Sequence, residues 1–366
     1  MPPILRRNLV AGQWNRPART PDVEPPPPPP PPPVPSRFPG DTNPKVTRTV
    51  IWGLDEFDQD GTVQHASELS RPETSAGVPA GSMRSYFQGA ASLAAPNGSV
   101  INSIKEQHAR GRIAWPSVMY TTSWAQAADG RNNAVYDAFI TWVEEQATAP
   151  VWFTLLHEPE NQAKTGVPGS YADWLAVQRN FRARMTAYAN AHGGVANYKW
   201  RNLAFAPCLT AFAFLQGSKA GGIDLFIPAG TAKFWDFMGV DYYVGGQGGT
   251  IGAPAWGANI VAAVNWCKAR STTIGIAEWG VNRGDPDAAA KMQEIWNRTF
   301  DGTNDIIAWL YYNSSVGSLN TTEQRWMLTG SLLTKWVALM NDARSVHFWD
   351  LKNPATGTNY ARPAGV

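Results

Sequence analysis

The chain has 366 residues, among them 29 prolines, 17 tryptophans and two cysteines, and its 31 basic and 29 acidic residues leave a formal net charge of +2. So even a balance excludes the basic stripe of a nucleic-acid binder. Cys208 and Cys267 fit neither a disulfide framework nor a Cys-x-x-Cys metal site.

Sixteen of the prolines fall within residues 1–44. Residues 1–24 carry Arg6 and Arg7 with no apolar stretch after them, so no secretory signal is expected there and the segment reads as an anchoring arm. Pro25 to Pro33 is an unbroken proline run within a linker over 25–45. Such a run forms a polyproline II rod of about 28 Å at about 3.1 Å per residue.

An aromatic-rich body follows over 46–345, with a tail over 346–366. Apolar runs predict eight strands: Thr47–Gly53, Met83–Phe87, Ile113–Tyr120, Pro150–His157, Trp200–Pro207, Phe237–Tyr243, Thr273–Glu278 and Ile306–Tyr312. Helical faces recur between them. Val135, Ala138, Phe139, Trp142 and Val143 form one; Trp174, Val177, Phe181, Met185 and Tyr188 a second; Ala288, Met292, Ile295, Trp296 and Thr299 a third.

Alternating strands and helices imply parallel pairing with right-handed crossovers. The fold class is therefore α/β, a (β/α)₈ TIM barrel behind a proline-rich arm. A doubly wound open sheet needs a phosphate-binding glycine loop after its first strand, and Ile51–Trp52–Gly53–Leu54 has none. Gly245–Gly249 lacks the Lys-Ser/Thr of a P-loop and reads as a barrel loop. The longest apolar run, Leu203–Leu215, is broken by Pro207 and Thr210 and is too short for a membrane span.

Function in such a barrel sits at the C-terminal strand ends. The fourth strand runs into Leu155–Leu156–His157–Glu158–Pro159–Glu160–Asn161, and the seventh into Ile276–Ala277–Glu278–Trp279–Gly280. A carboxylate directly after an apolar strand is costly unless paired, hydrogen-bonded or placed in a site. Two of them across one mouth are the apparatus of glycoside hydrolysis, one protonating the leaving oxygen and the other attacking the sugar carbon. Glu158 and Glu278 are the candidate catalytic pair, and Glu160 is a second carboxylate able to take the acid role. His157, Arg84 and Tyr243 are candidate supporting groups. Trp52, Trp124, Trp256, Trp279 and Trp309 fall near strand ends or the following loops. Each taken singly reads as core. Trp124, Trp279 and Trp309, with Asn161, are the candidate sugar contacts. The other histidines, His65, His108, His192 and His347, show no ligand spacing, so no metal and no cofactor is expected.

The pattern resembles the clan A glycoside hydrolases, and within them family 26, which includes β-mannanases. The family's acid/base glutamate after strand four is matched by His157–Glu158, and its nucleophile after strand seven by Glu278 in Ala277–Glu278–Trp279–Gly280. Its strand-two arginine is similar to Arg84 in Met83–Arg84–Ser85–Tyr86, and its strand-six Asp-x-Tyr to Asp241–Tyr242–Tyr243. Its strand-eight aromatic corresponds to Trp309 or Tyr311. The likeness covers about residues 46–345 and implies a retaining hydrolase. The subsite residues do not carry over, and the loop Gly245–Gly252 offers only Gln247 as a polar contact, so mannan itself is not implied. The anchor, stiff spacer and carbohydrate-recognising body are together similar to minor tail proteins of phages infecting actinobacteria. That resemblance implies a virion tail location, a host cell-surface polysaccharide as ligand, and contacts with other tail proteins through residues 1–40. Neither nucleic acid nor membrane insertion is implied. A barrel that binds glycan without cutting it, and a free-standing glycan hydrolase, are the alternatives.

Overall fold

The computed structural model describes residues 36–55, 72–120, 122–162, 169–215, 222–246, 248–313 and 326–366. The arm over 1–24, the proline run and Gln247 lie outside these residues. The strands are β1 Ile51–Asp55, β2 Ser82–Gln88, β3 Ile113–Met119, β4 Val151–Leu155, β5 Leu203–Phe205, β6 Cys208–Thr210, β7 Met238–Tyr243, β8 Ile274–Gly280 and β9 Ile306–Tyr312. All pair in parallel, in the order β5-β4-β3-β2-β1-β9-β8-β7-β6. Only Ala206 and Pro207 separate the two ends of that order, so the chain itself closes the sheet into a barrel. The Ala206 amide donates to Phe153 on β4, and the Pro207 carbonyl accepts from Gly239 on β7.

The fifth strand departs from expectation. Of the expected span Trp200–Pro207 only Leu203–Phe205 forms the strand, and a separate short strand, β6, follows it beyond Pro207. The amides of Arg201, Asn202 and Leu203 donate to the buried carboxylate of Glu144 at 2.9, 3.0 and 2.7 Å, so these N–H groups are taken by a helix, while the Asn202 carbonyl accepts from Val151 of β4 at 2.7 Å. Pro207 has no N–H to offer, which interrupts the strand. The first strand also starts later than predicted, because Pro44–Thr47 forms a helical turn with proline at its start.

Six longer helices follow strands: α1 Ser99–Ala109, α2 Asn133–Gln146, α3 Tyr171–Ala191, α4 Ala258–Ala269, α5 Ala288–Thr299 and α6 Gly330–Met340. Helix α3 starts at a capping box in which Ser170 and Asp173 bond each other's backbone. Its buried residues include Trp174, Val177, Phe181 and Met185, and α5 buries all five of its predicted face residues. On α2 the buried stripe is Tyr136, Phe139, Ile140, Val143 and Glu144, while Ala138 is exposed. The stripe is turned by about one position because Tyr136 and Glu144 are drawn inward by bonds to Tyr120 and to the β5 backbone.

The barrel interior is aromatic. Trp115, Trp152 and Phe237 meet edge to face, each pair of rings 5.3 Å apart, and Phe38 stacks beneath Phe237 at 5.2 Å. Gly275 on β8 makes room for this layer, since a Cβ there would come within 2.9 Å of Trp115 and Phe237. Both flanking segments reach this core. Arg37 bridges Asp41 and Asp305 at 2.8 and 2.6 Å, and the Trp152 indole donates to the Pro39 carbonyl. Phe348, Leu351 and Tyr360 of the C-terminal segment are buried against the interior cluster. The floor of the barrel is therefore filled, and its polar side chains gather at the opposite end. No described helix is long and apolar enough to cross a membrane.

Candidate active site

Strand β8 carries a bulge that aims its glutamate. Val240 of β7 pairs with Ile276 and Asp241 with Glu278, so Ala277 is an extra residue on β8. The same irregularity appears against β9, where Ile276 meets Trp309 and Trp279 meets Tyr311. Strict alternation from inward-facing Gly275 would send Glu278 outward toward the helices. One extra residue reverses the parity and turns it inward beside Asp241.

Glu158 is placed by a strained turn. Leu156 and Glu158 both adopt left-handed backbone, with φ of 51° and 46°. Neither is a glycine, and such a conformation persists only where its surroundings fix it. Here the Leu155 and Leu156 carbonyls accept from Gln178 and Trp174 of α3 at 2.8 and 2.9 Å, and the Glu158 amide donates to the Cys208 carbonyl at 2.9 Å.

The two elements bring the candidate pair together. One carboxylate oxygen each of Glu158, Asp241 and Glu278 lie within 4.8 Å of one another. Arg84, fully buried, sets Nη1 at 2.6 Å from Asp241 and 3.3 Å from Glu278. Its guanidinium supplies positive charge where three acids converge. Glu278 accepts from Tyr86 on Oε1 and from Tyr243 on Oε2, the latter at 2.7 Å. Two phenols and a guanidinium suit an ionised carboxylate. Tyr86 also reaches Asp55 Oδ2 at 2.9 Å, and the Cys208 thiol donates to Asp241 at 3.2 Å.

Glu158 has the opposite surroundings. Burial and the neighbouring Asp241, Glu278 and Glu160 hold its carboxyl well above the usual carboxylate range, opposed only by the Asn161 amide at 2.8 Å. Burial also raises Asp241, with Arg84 pulling against it. Burial and Arg84 hold His157 well below the usual histidine range, so its ring is neutral. Its Nδ1 meets the Ser117 hydroxyl at 2.8 Å, and its ring stands edge-on to Tyr86 at 5.0 Å.

Of the predicted residues, Glu158, Glu278, His157, Arg84, Tyr243 and Asn161 converge on one mouth. Asn161 does so as a partner of Glu158. The Glu160 carboxylate accepts the Thr210 amide of β6 and lies outside the converging trio, in which Glu158 stands beside Glu278. The tryptophans require correction. Trp124, Trp279 and Trp309 are wholly buried and Trp52 nearly so, which leaves no ring face for a sugar. Trp52, Trp279, Trp309 and Trp296 of α5 pack as a chain of tilted and edge-to-face contacts in the layer between strands and helices. Trp256 is half-buried against Trp309. Asp55, Tyr86, Ser117 and Cys208 were not predicted. Asp55 carries the same signal as the two glutamates, a carboxylate ending an apolar strand; Tyr86 lies two residues after Arg84 and so faces the same way.

No family model and no curated protein matches this chain. Solved structures do. An endo-β-1,4-mannanase double mutant from Cellulomonas fimi is 14% identical over 87% of this chain and 76% of its own, with a TM-score of 0.54. A Bacillus subtilis mannanase is 14% identical over 89% and 99%, with a TM-score of 0.53. A ruminal GH26 endo-β-1,4-mannanase is 12% identical at a TM-score of 0.48, and the chain, 83% of which is covered, spans 66% of that enzyme. At these identities the likeness is one of fold: the chain shares the barrel of glycoside hydrolases.

Proposed function

We propose that this protein is a retaining glycoside hydrolase of the family 26 type, with Glu278 as nucleophile and Glu158 as acid/base. The observation that carries this is the approach of Glu158 and Glu278 to within 4.8 Å in contrasting surroundings. Retaining enzymes hold their carboxyl groups about 5–5.5 Å apart, while inverting enzymes leave about 6.5–9.5 Å for a water. A Glu278 oxygen attacks the anomeric carbon as the glycosidic C–O bond breaks, and Glu158 gives its proton to the departing oxygen. Glu158, now ionised, takes a proton from water, which attacks the same carbon and releases the Glu278 carboxylate. Arg84, Tyr86 and Tyr243 hold Glu278 in place throughout.

A panel of mechanism-based glycosyl inhibitors, read by mass spectrometry of the digested protein, tests this. A covalent sugar on the Glu278 peptide is expected, with none on Glu278→Gln. The absence of an adduct across the neutral and amino sugars of bacterial surface polymers would instead support a barrel that binds glycan without cutting it.

The polysaccharide-binding tail protein is the biological setting we propose for this chemistry. Its support is compositional, from residues 1–24 and the unbroken proline run Pro25–Pro33. Removing 1–35 should release the barrel from its assembly with its fold retained, and a truncated chain that still assembles into tails would overturn the anchor. Removing 1–40 is a different experiment, because it also takes Arg37 and Phe38 from the floor of the barrel.

A further inference from the structure

Asp55 on β1, Tyr86 on β2 and Glu278 on β8 form one line through two hydrogen bonds that meet at the Tyr86 oxygen. A phenol brings a single proton. Two bonds in that line require two, so one of the carboxyl groups carries the other. Glu278 is the poorer place for it, because Tyr243 donates to its second oxygen and Arg84 stands 3.3 Å from its first. Asp55 is the better place. It is fully buried, and its Oδ1 has no hydrogen-bond partner among the described residues. A fully buried ionised carboxylate with one oxygen left unpaired by the described residues is strongly disfavoured; a neutral acid there is not.

We infer that Asp55 is a neutral carboxylic acid that donates its proton to the Tyr86 oxygen, which fixes the Tyr86 hydroxyl as a donor to Glu278. Asp55 is thus a positioning residue, acting on the nucleophile through Tyr86. The groups facing it agree. Arg84 and Tyr86 come from β2, Asp241 from β7, Glu278 from β8, and Tyr312 is its register partner on β9. Burial raises Asp55 well above the usual carboxylate range, as do Glu278 and Asp241, against Arg84 and Tyr86. Were Asp55 ionised, the Tyr86 proton would turn to it and leave Glu278 facing a lone pair.

The protonation state stands on geometry, and only its effect on turnover rests on the glycosidase reading. Two measurements keep them apart. Infrared difference spectra of the full chain against Asp55→Asn at neutral pH should show the loss of a neutral carboxyl C=O band. Loss of an ionised carboxylate band instead overturns the inference, whether or not the protein cuts sugar. The second measurement is the rate of inhibitor labelling of Glu278. Asp55→Asn is neutral and keeps an N–H for the Tyr86 oxygen, so it should label within about 3-fold of wild type. Asp55→Leu and Tyr86→Phe should both slow labelling by about 10- to 100-fold, the worth of one hydrogen bond to a charged group. An Asp55→Asn variant as slow as Asp55→Leu would also overturn it.

Discussion

Glu158 and Glu278 are the same residue type at equivalent strand ends, and their partners set them apart. Glu278 receives two phenols and a guanidinium, whereas Glu158 receives one amide and faces three other carboxylates. One of those, Glu160, lies outside the converging trio and bonds the Thr210 amide through an oxygen that glutamine would retain. Glu160→Gln should therefore remove a like charge without disturbing the turn. The sign follows from the cause. Glu160 raises Glu158, so its neutralisation lowers the pH at which Glu158 loses its proton. The alkaline limb of kcat/KM should move to lower pH, by up to about one unit for a neighbouring charge. A limb that stays in place would show that Glu158 does not set it. Residue chemistry of this kind was partly legible in the sequence: a carboxylate ending an apolar strand signals a site, and Asp55 obeys that rule as plainly as the two glutamates. The direction of a proton along Asp55, Tyr86 and Glu278 was not legible, because it depends on oxygens from three strands.

The bulge at Ala277 has no counterpart in the apolar pattern, yet it decides where Glu278 points. Deleting Ala277 removes the extra residue, so Val240–Ile276 and Asp241–Glu278 follow one another as ordinary register pairs, with Glu278 still facing the barrel and Trp279 the helix layer. The expected result is that the glutamate still labels. A deletion variant that no longer labels there would show that the bulge does more than set the parity of the strand. The buried tryptophans belong to the same scale. Trp279 follows Glu278 directly, so the register that turns the glutamate inward also turns the indole outward against Trp52 and Trp309. Sequence proximity to a strand end does not distinguish those two faces; parity does.

The barrel has an end where the acids converge and a filled end. His108 of α1 sits near the filled end, buried, with Nε2 donating to the Pro150 carbonyl at 3.2 Å and its ring 6.4 Å from Phe348. Burial pushes it down to about 4. The unfolded chain binds a proton near the ordinary value of about 6.5 that the folded chain refuses until lower pH. His108 therefore contributes stability above about pH 6.5 that is lost as pH falls toward 4, by up to about 3 kcal/mol. Denaturant titrations of wild type and His108→Gln at several pH values test this through their difference. The gap should shift in favour of the variant as pH drops, and a constant gap would reject it. Phe348 offers a second handle, since Phe348→Ala removes a buried ring that seals the floor and should destabilise by about 3–5 kcal/mol. Thermal melts of the variant check it, and a melting temperature equal to wild type would show that the C-terminal segment is not part of the core.

Periodicity and composition alone determined the alternation of strands and helices, the barrel class, the near balance of charge and the strand ends where acids collect. These follow from local rules: apolar spacing fixes which residues can be buried in a helix or strand, and an ionisable group beside an apolar run needs a partner. The tertiary structure decided which acids meet, which tryptophans are walls rather than platforms, and where the fifth strand breaks. Those outcomes rest on strand register, on one inserted residue, and on hydrogen bonds such as Glu144 to the β5 backbone, which join groups far apart in the chain and leave no trace in its local pattern.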